Sequence, residues 1–168
     1  MDTFESVRTV LAVRAYQDKP LPAEAIQRIV DAAHLTASAS NRQPWHFIVV
    51  QDKAMLKKLG ELAATGPYVA QAPLAIVVIA EDTPRGLSDT SRAIQSMVLT
   101  AWADGIGSNW VGFAGMQGLH DVFGIPADQK VIAILPFGYP VKPGGKGKKN
   151  RKPIGEVVHR EMFGRPYA

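Results

Sequence analysis

The sequence predicts an α+β fold, a central sheet flanked by helices, and three observations lead there. Helical and strand patterns alternate along the chain, but too unevenly for a regular doubly wound sheet. The run LAIVVIA, residues 74–80, is apolar at every position, as in a strand covered on both faces. The 168 residues are 46% apolar, enough for one core and a single domain, though a small one for an enzyme that carries a cofactor.

The elements follow in chain order. Phe4, Val7 and Leu11 recur at helical spacing until Pro20 and Pro22 break the pattern. Ile26, Ile29, Val30, Ala33 and Ala37 form one apolar face of a second helix starting near Ala23. The polar stretch TASASNRQPW then separates this helix from a strand at His46 to Val50, and it is longer than a bare connection needs. Met55 to Ala63 reads as a helix through Leu56, Leu59 and Leu62, and Gly66-Pro67 separates it from the buried strand. A long helix is expected from about Ser91 to Asp104, with Ile94, Met97, Val98, Ala101 and Trp102 on one side, ending at Gly105 and Gly107. A third strand is expected near Asn109 to Phe113, a short helix at Leu119 to Phe123 closed by Gly124 and Pro126, and a fourth strand at Val131 to Phe137. From Gly138 onward glycine, proline and charge take over. Residues 142–168 therefore read as a basic extension of the single domain 1–168.

Composition excludes several classes of function. Without cysteine there are no disulfides, thiolate metal sites, Fe–S clusters or cysteine nucleophiles. The start, MDTFESVRTV, carries acids where a signal peptide needs a basic region and an apolar run, and residues 74–80 are too few to span a bilayer. A soluble, cytoplasmic protein without a membrane partner is expected. The net charge of +4 is local: Lys142, Lys146, Lys148, Lys149, Arg151 and Lys152 lie in KPGGKGKKNRK, and the remainder holds 13 bases against 15 acids. That distribution argues against a nucleic-acid surface spread over the fold.

The familiar catalytic patterns are missing. His34, His46, His120 and His159 lack close metal-ligand spacing, so no metal site is expected and the histidines read as structural or exposed. GIGSNWVG has Trp110 at the third glycine position of a dinucleotide fingerprint, and it leads from a helix into a strand, the reverse of the required order. GGKGKK has no Ser or Thr after its lysine and is not a P-loop.

Other segments recur together in a meaningful order. VRAYQDKPLP, SASNRQPWHFIVV, APLAIVVI, AIQSMVLTAWADGIGSNWVGF, GIPADQKVIAILPFGYP and KNRKP resemble the nitroreductase-type flavoproteins over nearly the whole chain. The resemblance implies a central mixed sheet flanked by helices, in an intertwined homodimer with FMN at the subunit interface. It also implies NADH or NADPH as donor, a small-molecule acceptor such as a quinone or nitroaromatic, and ping-pong chemistry on the flavin. No side-chain acid, base or nucleophile is then obligatory, because the cofactor carries the chemistry.

By position, the resemblance assigns Arg14 to the flavin ring and ribityl group, and Lys149 and Arg151 to the phosphate. Ser38, Ser40, Asn41 and Gln43 would reach the flavin bound mainly by the partner, and the backbone of Gly112 and Phe113 would meet flavin N5. The extension 142–168 would dock on the flavin site or the partner subunit. One departure stands out: the family's Arg-Arg-Ser is Val10-Leu11-Ala12 here, which leaves Arg8 as a candidate replacement and shifts weight to Lys149 and Arg151. Two alternatives stay open at this level. One is a relative with other flavin chemistry, such as flavin cleavage or dehalogenation, and the other is an anionic-surface or nucleic-acid binder using the basic tail.

Overall fold

The structure, a computed structural model, describes residues 1–112, 116, 118–142 and 149–167. Phe113 lies outside the described residues, as do Lys146 and Lys148 of the basic run. Six α-helices are described, α1 (Thr3–Thr9), α2 (Ala23–His34), α3 (Lys53–Leu62), α4 (Pro84–Ala103), α5 (Leu119–Phe123) and α6 (Ile154–Val157), with short 3-10 turns at Ala39–Asn41 and Pro67–Gln71. Four strands, β1 (Trp45–Val50), β2 (Leu74–Glu81), β3 (Gly107–Ser108) and β4 (Gln129–Gly138), form one sheet in the order β1-β2-β4-β3. The three strand pairings are antiparallel, and the parallel component is an isolated bridge between Ala12 and Ser108.

Strand β2 is central and buried along its length until Glu81, which explains its uninterrupted apolar run. Side chains of a strand alternate between faces. Leu74, Ile76, Val78 and Ala80 accordingly join one core with Ile29 and Ala33 of α2 and Ala93, Ile94, Met97 and Ala101 of α4. Ala75, Val77 and Ile79 join a second core with Leu56 and Leu59 of α3, Val69 and Leu119. The sheet is thus sandwiched between α2 and α4 on one face and α3 and α5 on the other. A register shift opposite Val78 and Ile79 leaves Ile132 of β4 as an extra residue, so Ile132 and Ala133 both face the first core.

Three elements differ from the sequence expectation. Helix α4 begins at Pro84 rather than near Ser91, because Thr83 caps it, its hydroxyl accepting from Gly86 N–H at 2.9 Å, and Pro84 suits the first helical position. The third strand is Gly107–Ser108, not Asn109 to Phe113; further along, Val111 pairs with Ile134 only as an isolated bridge. Helix α1 turns its apolar stripe outward: Phe4 and Val7 are exposed, while Ser6 and Thr9 face the protein. Among the described residues no helix is long and apolar enough to cross a membrane.

Candidate functional site

The polar hinge after α2 is a closely fitted loop. Thr36 Oγ1 lies 2.7 Å from Ala32 O and 2.8 Å from Ser96 Oγ on α4. Ala39 donates its backbone N–H to Asp89 Oδ2 of α4 at 2.9 Å. Beyond this point Ser40, Asn41 and Gln43 adopt φ of 51°, 53° and 51°. Side chains other than glycine rarely occupy that left-handed region, although asparagine does so more readily than most. Three such residues within four positions mark a backbone held by its surroundings. Ser38 Oγ accepts from Gln43 N–H at 2.9 Å, and Gln43 Nε2 donates to Asn41 O and Oδ1 at 3.2 and 3.3 Å. The loop thereby leaves Ser40, Asn41 and Gln43 exposed.

A second group of candidates gathers at the opposite end of α4. Trp102 Nε1 donates to Thr9 Oγ1 at 2.9 Å in a buried contact that seats α1. The chain then runs beside β3, where Val13 N–H donates to Ser108 O at 2.8 Å. Arg14 follows, exposed and without a hydrogen bond or ion pair among the described residues, including to Asp18. Tyr16 anchors this segment from below, its hydroxyl donating to Val13 O at 2.6 Å. Burial pushes the Tyr16 phenol well above its ordinary range, Tyr68 adds to the rise and Arg14 opposes it, so Tyr16 acts as a neutral donor.

Lys149 joins this group by donating from Nζ to Val7 O of α1 at 2.5 Å. Burial, and after it the charge of Arg151, holds the Lys149 ammonium below its ordinary pKa. Two cations that oppose one another in this way make a place where an anion is favoured. Arg8 is not available in the same sense, since its guanidinium is tied to Glu5 at 2.6 and 2.7 Å. Gly112 is buried on the open side of β4, where a Cβ would lie 2.9 Å from Trp110 Nε1 and 3.1 Å from Ile132 O. A larger residue there would have to shift the Trp110 ring and would crowd the Ile132 carbonyl.

The candidates therefore form two groups, not one. Asp89, which holds the loop, and Trp102, which seats α1, are thirteen residues apart on α4, about 20 Å at the helical rise. Sequence reasoning identified the loop but missed Asp89, Thr36 and Ser96 as its supports. The signal for Asp89 was the Thr83-Pro84 pair, which extends the helix to include it. Among the described residues no three His, Asp or Glu side chains converge as a metal site. His34 and His46 are exposed, His120 Nδ1 lies 3.2 Å from Ile125 O, and the His159 ring packs at a tilt against Phe163.

The sequence and the fold find counterparts among known proteins. The sequence pattern of the nitroreductase family matches residues 8–83 and 65–139. A protein of Archaeoglobus fulgidus provisionally named NADH dehydrogenase/NAD(P)H nitroreductase is 36% identical over 172 residues, covering 96% of this chain and 99% of the relative. One of the same provisional name from Methanothermobacter thermautotrophicus is 35% identical over 154 residues, covering 86% and 81%. The solved structure of an FMN-dependent nitroreductase from Clostridium difficile superposes with a TM-score of 0.86 at 26% identity, covering 95% of this chain and 99% of that one. The chain belongs to the nitroreductase family, and it is an oxidoreductase.

Proposed function

We propose that the chain is an FMN-dependent NAD(P)H oxidoreductase that delivers electrons to a quinone, nitroaromatic or similar small acceptor, as a homodimer whose two sites each draw residues from both chains. The observation that carries the shared site is the separation along α4. Arg14 and Lys149 follow from elements anchored near one end of α4 and Ser38 to Gln43 from a loop anchored near the other, about 20 Å along the helix, which favours two chains contributing to one isoalloxazine ring. A second copy would bring the two groups together. The surface supports this: Phe4 is 75% exposed, Phe163 is 94% exposed, and Ile154, Val157, Met162 and Tyr167 are exposed with them. So much exposed apolar surface marks an interaction face.

The donor set fits FMN. Lys149 and Arg151 would hold the single phosphate by charge-assisted hydrogen bonds. Arg14 would face the N1 and O2 edge of the ring, where a fixed cation stabilises the negative charge of the reduced form. Gly112 would offer main-chain contact at N5, and the partner's loop would supply hydroxyl and amide groups from Ser38, Ser40, Asn41 and Gln43. When bound, FMN accepts hydride from NADH or NADPH and passes the electrons to the acceptor. The protein's part is to bind, orient and leave one face of the ring open.

This reading predicts that NADH or NADPH bleaches the flavin of FMN-loaded protein with no acceptor present, and that a quinone or nitroaromatic restores the colour. Initial rates against both substrates should give parallel reciprocal lines. Loaded protein that neither nicotinamide bleaches would contradict the reading and favour a different flavin chemistry.

A further inference from the structure

We propose that Asp89 is a positioning residue for the flavin site, holding the Ser38–Gln43 loop in the shape that its chain presents to the partner. The proposal rests on the shared-site reading above. Asp89 is only 2% exposed, and burying a carboxylate is costly unless it is well partnered. Its Oδ1 lies 3.4 Å from Arg92, a side chain 61% exposed, and an ion pair with so open a partner contributes little. Nor does Asp89 serve the helix dipole, because it is the sixth residue of α4 and that effect fades within the first turn. What remains is the bond from Ala39 N–H to Oδ2.

The location of that bond is informative. Ala39 immediately precedes Ser40 and Asn41, the first two left-handed residues, and follows Ser38, whose hydroxyl closes the loop on Gln43. Ser96, two turns further along α4, meets Thr36 at the base of the same loop. Losing the Asp89 contact should therefore loosen the tip of the loop while its base stays attached. Because the loop serves the partner's flavin, the effect of Asp89 crosses the dimer.

The test uses FMN titrations of the full-length dimer. Asp89→Ala should weaken FMN binding about tenfold or more, the usual consequence of losing a hydrogen bond to a charged group. Asp89→Asn, which keeps an oxygen for Ala39, should recover most of the affinity. Ala39→Pro deletes the donor without touching Asp89, and Ser38 at ψ 159° already has the extended conformation required before proline. It should weaken FMN as Asp89→Ala does, and it carries the test if Asp89→Ala fails to fold. The decisive arm is a mixed dimer of an Asp89→Ala or Ala39→Pro chain with an Arg14→Ala chain. Both defects then fall on one site, and the other should bind FMN with wild-type affinity. Wild-type affinity in both Asp89→Ala and Ala39→Pro homodimers, or a mixed dimer with no intact site, overturns the proposal. Wild-type protein that binds no FMN would instead overturn the function on which it rests.

Discussion

The loop 36–43 and the segment 149–167 both carry residues expected at a flavin, yet the chain holds them in opposite ways. The loop is polar, bears three left-handed residues, and is fixed to α4 through Asp89 and Ser96. The C-terminal segment mixes charged residues with exposed apolar ones, Ile154, Val157, Met162, Phe163 and Tyr167, and near its start Lys149 bonds to Val7 of α1. The loop is held by bonds within its own chain, whereas the segment leaves its large apolar side chains exposed. On the proposed reading a preformed loop needs no partner to take shape, and the exposed segment supplies the affinity that brings the partner.

Removing residues 154–168 should have the largest effect. Burying a large apolar side chain contributes about 1.5–3 kcal/mol, so losing five such groups should separate the subunits. Sedimentation should then report monomers, while loop variants remain dimeric. A truncated protein that stays dimeric would remove the contrast between the two regions.

Changing Lys149 and Arg151 together to Ala comes next. Loss of two charge-assisted contacts should cost FMN roughly 2–4 kcal/mol and leave riboflavin, which lacks the phosphate, nearly unaffected. An unchanged preference for FMN over riboflavin would exclude the phosphate assignment. The same pair of titrations predicts a pH dependence. Lys149 is charged below its depressed pKa and neutral above it, so the preference for FMN should decline as pH rises through that pKa. A preference that grows over the same range would contradict Lys149 as the anchor.

Ser38→Ala should have the smallest effect. It removes the hydroxyl that accepts from Gln43 N–H, a neutral bond at an exposed position, and should weaken FMN by about 1 kcal/mol without altering the dimer. A larger loss, comparable to that of the Lys149 and Arg151 pair, would mean that Ser38 itself touches the flavin.

What the sequence disclosed depended on whether local pattern or tertiary contact decided the outcome. The uniform run of β2 and the Gly124 stop of α5 placed those elements within a residue, because burial on both faces and a left-handed glycine are local signals. The third strand was shifted because pairing of Ser108 with Phe137, not the apolar character of Trp110 and Val111, decides where β3 lies. The stripe of Phe4 and Val7 gave a helix but not its orientation, since Trp102 binds Thr9 on the other side. At the candidate site the polar hinge was legible as an oddity. Its dependence on a buried Asp89 was not, because that contact joins residues fifty apart in the chain, and neither were its left-handed residues, which serine and glutamine rarely supply.

The most direct measurement is FMN binding by a mixed dimer in which one chain carries Arg14→Ala and the other Asn41→Ala. Each homodimer should have two damaged sites. If each site is built from Arg14 of one chain and Asn41 of the other, both substitutions meet in a single site of the mixed dimer, which then binds one FMN with wild-type affinity. If the site lies within one chain, every site of the mixed dimer carries one defect, and no wild-type binding returns.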